Sequence, residues 1–248
     1  MWKAFVLTTG LIMKTLPPCA AQEVPVILSR GDSLYVANEY GKSIVAYRLA
    51  CASDSGNAES FWKLSRSLNL LGETAPEDSQ QAVFEESRDA AAYALEVDEV
   101  SAESHFQLAR ALGKIALHRG IFKSASLAKK VRNECLRALE IDSLHDGAWH
   151  VLGRWNREVG RKPKFLRVPM GLGAANKEDA LSFMQKAIEL NPDYPNHHLE
   201  MGITYKTYDR KDEARAEFEK CIQLESRRPL DEKYKDEAKK YLAELNKK

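Results

Sequence analysis

The sequence predicts an all-α protein: a solenoid of antiparallel helix hairpins stacked in one direction. Three observations lead there. The segments Ala58-Glu-Ser-Phe-Trp-Lys-Leu-Ser-Arg66, Ala102-Glu-Ser-His-Phe-Gln-Leu-Ala-Arg110 and Asp146-Gly-Ala-Trp-His-Val-Leu-Gly-Arg154 recur at a 44-residue spacing. Small residues recur at the same period in the second helices of the hairpins, as Ala50, Ala94 and Ala138, followed by Ala187 and Cys221. Polar turns follow them at Val97-Asp98, Ile141-Asp142 and Leu190-Asn-Pro192. A single hairpin cannot bury its apolar face alone, so a repeat of this length means neighbours that cover one another.

Each element follows from this frame. Met1 to Ala21 reads as a signal peptide: Lys3 is its charge, Ala4 to Met13 is largely apolar, and small residues precede Gln22. Lipidation of Cys19 is the alternative, although Pro18 before it fits poorly. Residues 22–31 read as a flexible linker, and Asp32 to Ala52 as an unpaired leading helix. First helices of hairpins are expected near 58–71, 102–116, 146–160 and 195–208, with partners near 82–96, 126–140, 177–190 and 211–225. Extra residues then fall inside the hairpins three times. In the last hairpin Met201-Gly202, Tyr205, Ala214, Phe218, Cys221 and Leu224 occupy the packing positions of a tetratricopeptide repeat. The architecture is therefore a tetratricopeptide-like helix-hairpin solenoid with extended intra-hairpin loops. It spans 32–228, and residues 229–248 supply a capping helix whose polar side faces outward.

The 248 residues carry a net charge of +1, with 44% hydrophobic and 29% charged residues. That balance gives no electrostatic ground for a nucleic-acid partner. Outside the leader, Cys51, Cys135 and Cys221 are odd in number and show no CxxC spacing, so they read as small apolar residues rather than disulfides or metal ligands. His197 and His198 are adjacent and leave a helix on different sides, which argues against a metal site. No phosphate-binding loop, nucleophile elbow or isolated carboxylate pair stands out, so neither catalysis nor a cofactor is expected.

Binding residues are expected on the first helices, which line the concave face of such solenoids. One position carries Arg66, Arg110 and Arg154; a second carries Trp62, Phe106 and His150; a third carries Asn69 and Arg157. Planar guanidinium groups in a partly enclosed groove suit carboxylates or phosphates, and Trp62 and Phe106 suit apolar portions of the same ligand. The competing reading is structural: Glu59 and Glu103 lie two turns before Arg66 and Arg110 and would neutralise them, whereas Gly147 leaves Arg154 without such an acid.

Two stretches are basic. Residues 104–133 contain Arg110, Lys114, Arg119, Lys123, Lys129, Lys130 and Arg132 and no acid after Glu103 until Glu134. Residues 161–177 contain Arg161, Lys162, Lys164, Arg167 and Lys177, again without an acid, together with Phe165, Leu166, Val168, Pro169, Met170 and Leu172. These apolar residues are expected to tuck the loop against the helices; the alternative is a mobile basic and apolar loop that meets an anionic surface, acidic protein or lipid.

The chain resembles the regulator of microtubule dynamics family from about Ala37 to Leu224. The resemblance is carried by Phe61-Trp-Lys-Leu-Ser-Arg66, by His150-Val-Leu-Gly-Arg-Trp-Asn-Arg-Glu-Val159, by the loop 161–176 and by Lys186-Ala-Ile-Glu-Leu-Asn-Pro192. Arg66, Arg154 and Trp155 fall within these family-like stretches, and Arg110 holds the matching place in the middle repeat. The resemblance implies microtubule association, and for one member phospholipid binding and transfer through this domain. An exported chain would not meet tubulin, so that partner is expected only if the chain is cytoplasmic; export to a periplasm or a membrane is the expectation here. The resulting function is a non-catalytic scaffold that receives an acidic or carboxylate-bearing peptide or protein in the arginine-lined groove. An anionic phospholipid is the alternative ligand.

Overall fold

The computed structural model describes residues 18–120, 124–228 and 230–247, with side chains from Glu23 onward. The described residues are helical with no strand. The helices are α1 (Pro18–Val36), α2 (Tyr40–Ser53), α3 (Ala58–Thr74), α4 (Glu77–Val97), α5 (Ala102–Arg119), α6 (Ala125–Ile141), α7 (Asp146–Gly160), the single turn α8 (Lys164–Arg167), α9 (Lys177–Leu190), α10 (Pro195–Thr207), α11 (Lys211–Gln223) and α12 (Asp231–Leu245). The hairpins are α1–α2, α3–α4, α5–α6, α7–α9 and α10–α11, and α12 packs on the last. The first helices α3, α5, α7 and α10 also touch one another in sequence, forming the inner layer of the solenoid.

Local chemistry sets these boundaries. Asn57, Ser101 and Asn176 each cap a helix by accepting a backbone N–H three residues ahead, which satisfies donors that a helix start leaves unpaired. Asp54, Asp98 and Asp142, spaced 44 apart, each accept the backbone N–H two residues on, from Gly56, Val100 and Leu144. One side-chain-stabilised turn therefore closes three successive hairpins. Ala50, Ala94, Ala138, Ala187 and Cys221 are fully buried at helix contacts, as the periodicity predicts. Gly202 is required by packing: a Cβ there would lie 2.5 Å from the Phe218 ring of α11.

Several expectations are corrected. Residues 22–31 are not a linker; they belong to α1. The leading helix is not single: the chain breaks at Ala37–Glu39, where Asn38 takes φ +68°, and α1 and α2 form a further hairpin. Asparagine tolerates that left-handed turn better than most residues. The expected insertions in the first two complete hairpins are mostly absorbed by longer helices, leaving Ala75–Pro76 between α3 and α4. A long internal connection remains in α7–α9. The expected leader lies almost wholly outside the described residues. Among the described residues, no helix is long and apolar enough to cross a membrane.

The solenoid does not leave its concave side open. Lys233 Nζ donates to the Glu73 carbonyl at 2.6 Å, and Tyr234 Oη donates to Glu73 Oε2 at 3.3 Å. Tyr40 and Leu70 from the N-terminal half share an apolar cluster with Leu230 and Tyr234. The C-terminal segment thus crosses back to the end of α3.

Candidate binding cavity

Beneath this crossing lies a cavity of about 530 Å³. Its walls come from the α1–α2 turn, the inner helices α3, α5 and α7, the start of α10, and Arg227, Arg228, Leu230 and Asp231 of the crossing segment. Arg66, Phe106, Arg110, His150 and Arg154 all line it, so the first-helix register does bring these five together.

Three expected residues are not among its lining. Trp62 is half-buried beside Arg66, with 5.2 Å from ring centroid to guanidinium carbon. Asn69 is buried and donates to the carbonyl and side-chain oxygens of Gln107. Arg157 is only 2% exposed. It donates to the Glu200 carbonyl, to Thr204 Oγ1 and to Glu158, and pairs with the Glu200 carboxylate at 2.7 Å. Asn69 and Arg157 therefore join inner helices and offer no free surface to a partner.

The expected arginine partners also differ. Glu59 pairs with Lys63, and Glu103 accepts from Gln107 and contacts His145, instead of reaching Arg66 and Arg110. Two helical turns separate these acids from the arginines, and closer groups on each side take them. Each arginine finds its carboxylate on another element: Arg66 with Asp32 at 3.3 Å, Arg110 with Glu73 at 3.2 Å and Arg154 with Glu200 at 3.1 Å. Arg154, whose repeat has glycine where the others have Glu59 and Glu103, is paired like the other two, with Glu200. Gly147, at the place of Glu103 in the preceding repeat, makes room for Phe106, whose ring would lie 2.5 Å from a Cβ.

Charge balance differs along the ladder. Asp32 and Glu59 answer Lys63 and Arg66; Glu200 and Glu158 answer Arg154 and Arg157, with exposed Arg161 also 3.6 Å from Glu158. At the middle, one carboxylate among the described residues, Glu73, pairs with both Arg110 and Lys114, the latter at 3.3 Å. Burial by itself would raise the Glu73 pKa, but Lys114, Arg110 and Arg154 outweigh it and hold the carboxyl at about 2. Burial is the largest influence on Lys114; Glu73 opposes it, Arg154 and Arg110 reinforce it, and the ammonium pKa is lowered. Three buried atoms on cavity-lining residues, the donors Tyr40 Oη and Arg66 Nε and the acceptor Asp231 Oδ1, have no hydrogen-bond partner among the described residues. Unpaired buried polar groups of this kind are costly unless something else meets them.

A histidine wall completes the cavity. His150 Nδ1 and His197 Nδ1 are 2.8 Å apart, and His197 Nε2 lies 2.9 Å from Asp146. Burial, then the neighbouring His197, Arg154 and Arg157, pushes the His150 pKa well below its ordinary value. A neutral pair is satisfied when His150 donates to His197 and His197 donates to Asp146. His198 turns the other way, to Glu217 and the Pro192 carbonyl.

Sequence reasoning missed Glu73 and Glu200 as the partners of the ladder, and Tyr40, Tyr194 and Tyr234 around it. The acids sit at no repeated position, and the tyrosines meet only because the two ends of the solenoid converge. Lys114 was visible as one of a basic run, four residues after Arg110 and hence on the same helix face. Trp155 donates from Nε1 to the Ala128 carbonyl at 2.6 Å, tying α7 to α6.

Fold and site define a class: a helical solenoid of tetratricopeptide fold with an internal cavity lined by several arginines. A crystal structure of a tetratricopeptide protein from Thermus thermophilus superposes with a TM-score of 0.63 at 15% identity, covering 90% of this chain and 98% of that one. The family model for regulator of microtubule dynamics protein 1-3 matches residues 27–246, and the chain belongs to that family. It is 27% identical to regulator of microtubule dynamics protein 1 of Bos taurus, covering 76% of this chain and 62% of that protein. It is 26% identical to protein 3 of the same species, covering 82% and 45%. The chain thus matches less than two thirds of either bovine relative's length.

Proposed function

We propose that the protein is a non-catalytic binding scaffold whose concave cavity receives a carboxylate-bearing segment of an acidic peptide or protein. The observation that carries this reading is the surplus cation at the middle of the ladder, where Arg110 and Lys114 share Glu73. An incoming carboxylate balances that charge and supplies an acceptor for the unpaired donors near it. Phe106 and Leu70, also in the wall, suit an adjoining apolar side chain. Partners are sought in the compartment that the expected leader implies. Microtubule association, carried here only by the relatives' names, would run through the basic residues of 104–133 and 161–177.

The test compares peptides with free and amidated C-termini by calorimetry, against the full chain and the Arg110→Gln and Arg154→Gln variants. The free acid should bind at least about tenfold more tightly, because a charge-assisted contact contributes roughly 1.5–3 kcal/mol, and Arg110→Gln should abolish the preference. Equal binding of acid and amide, or no effect of either substitution, overturns the reading. A second reading has its own support: the crossing of the C-terminal segment encloses the cavity, as a phospholipid site would require. Native mass spectrometry showing a stoichiometric phospholipid, lost on Arg110→Gln, would replace the peptide with a lipid.

A further inference from the structure

The long connection between α7 and α9 is tucked against the helices over only part of its length. Leu172 and Ala175 are buried in the central core at 0% and 1% exposure. Arg167 turns inward, and its Nη1 donates to the carbonyls of Leu172, Gly173 and Ala175. Gly171 takes φ +73°, a conformation suited to glycine, and lies against the Lys129 side chain of α6. The segment is therefore tied at several points. Yet Phe165 is 75% exposed, Val168 49% and Leu166 37%. Of the apolar residues expected to pin the loop, Leu172 and the partly buried Met170 do so, together with Ala175 and Arg167, whereas Phe165, Leu166 and Val168 do not.

An ordered segment that holds an aromatic and two aliphatic side chains in water gains nothing for folding from their exposure. Around them stand Arg161 and Lys164, both exposed, with Lys162 and Lys177 in the same acid-free stretch. Arg161 lies 3.6 Å from Glu158, and its side chain remains 58% exposed. We propose that α8 and its flanks form a docking tip for an anionic bilayer surface, with Phe165, Leu166 and Val168 entering the interface and the surrounding cations meeting lipid phosphates. Apolar residues on a basic background are the composition that such interfacial contacts require. A bilayer accepts a protruding tip of this kind, whereas a stable protein partner needs roughly 800 Å² on each side, far more than one helical turn offers. This inference is independent of what occupies the cavity.

The experiment is flotation of the full chain with vesicles of phosphatidylcholine alone or with phosphatidylglycerol, at low and high salt. Binding should require phosphatidylglycerol and fall with salt. Phe165→Ser should weaken it about tenfold or more, the effect of withholding one large apolar side chain, with an unchanged Tm. Lys162→Gln with Lys164→Gln should weaken it by about fivefold per charge. Phe165→Trp should retain binding and show a blue-shifted emission increment on adding vesicles. Arg110→Gln, in the cavity, should leave vesicle binding unaltered, so failure here is separate from failure of the cavity reading. The proposal is overturned if wild type ignores anionic vesicles, or if Phe165→Ser and the double lysine variant bind them as wild type does. It is equally overturned if an acidic polypeptide, but no vesicle, binds in a Phe165-dependent way; the tip would then belong to a protein partner.

Discussion

Arg110 and Arg157 project from the same inner layer of helices, yet one is a cavity wall and the other a buried strut. Arg157 is covered by the next repeat, where Glu200 and Thr204 of α10 take its donors and Glu158 takes the remainder. Across from Arg110 lie the α1–α2 turn and the C-terminal crossing, which enclose space without filling it. The difference teaches that a repeat position fixes a helix face, while the neighbouring element decides whether that face binds or packs. It also separates the ion pairs: Arg110 and Lys114 share the single carboxylate of Glu73, whereas Arg154 and Arg157 meet both Glu200 and Glu158, the latter also reached by exposed Arg161.

The strongest way to break this comparison is to remove the acid at the packed end. Glu200→Gln keeps the shape and strips the carboxylate from Arg154 and Arg157, the latter almost fully buried. Breaking a buried pair by neutralising one partner costs about 3–5 kcal/mol, so urea denaturation should show a loss of that size. Arg110→Gln leaves Glu73 with Lys114 and should cost only about 1 kcal/mol. Equal losses would mean that the two ends of the ladder are alike.

Acid titration sharpens the contrast next. The folded-state pKa of Glu73 lies at about 2 against an ordinary 4.5. A depressed carboxylate contributes stability that is fully present above the unfolded value and is lost as pH falls from 4.5 towards 2. That contribution is on the order of 3 kcal/mol. Glu73→Gln should be less stable than wild type at neutral pH, and the gap should close across this acid window. A gap that stays constant from about pH 6 to about pH 2.5 would show that Glu73 is not held by its cations.

The legible and illegible parts divide on the same line. Local periodicity carried Ala94, Ala138, the helices from α3 onward apart from the single turn α8, and the register that brings Arg66, Arg110 and Arg154 to one cavity. It did not carry Asp32, Glu73 or Glu200, because the partner of each arginine depends on tertiary convergence rather than on spacing. Asn69 and Arg157 share a repeat position with Gly113, and nothing local distinguishes a lining residue from one sealed by the following helix. The α1–α2 break was hidden for another reason: Asn38 interrupts a stretch with no proline or glycine at the turn itself. Phe165 was misplaced because an apolar residue in a loop is usually anchored, and here Leu172 holds that role.

The smallest expected effect on stability is the most discriminating for function. Lys114 is a cation whose charged form the fold disfavours: burial lowers its pKa first, Arg154 and Arg110 lower it further, and Glu73 only partly compensates. Replacing it with methionine removes that penalty and keeps the stem that packs along α5. Lys114→Met should therefore be neutral or stabilising by up to about 1 kcal/mol, opposite in sign to Glu200→Gln. Adding a saturating free-carboxylate peptide should reverse the order, because ligand binding stabilises the folded state by RT ln(1 + [L]/Kd) and wild type should have the lower Kd. Urea midpoints of the two proteins with and without peptide measure both halves of the claim. If Lys114→Met loses stability without ligand, the lysine is a packing cation like Arg157 and the surplus charge at Glu73 is structural. If the variant is as stable as wild type but is stabilised equally by the peptide, the carboxylate sits elsewhere in the cavity, and Arg66 with its unpaired Nε becomes the rung to test.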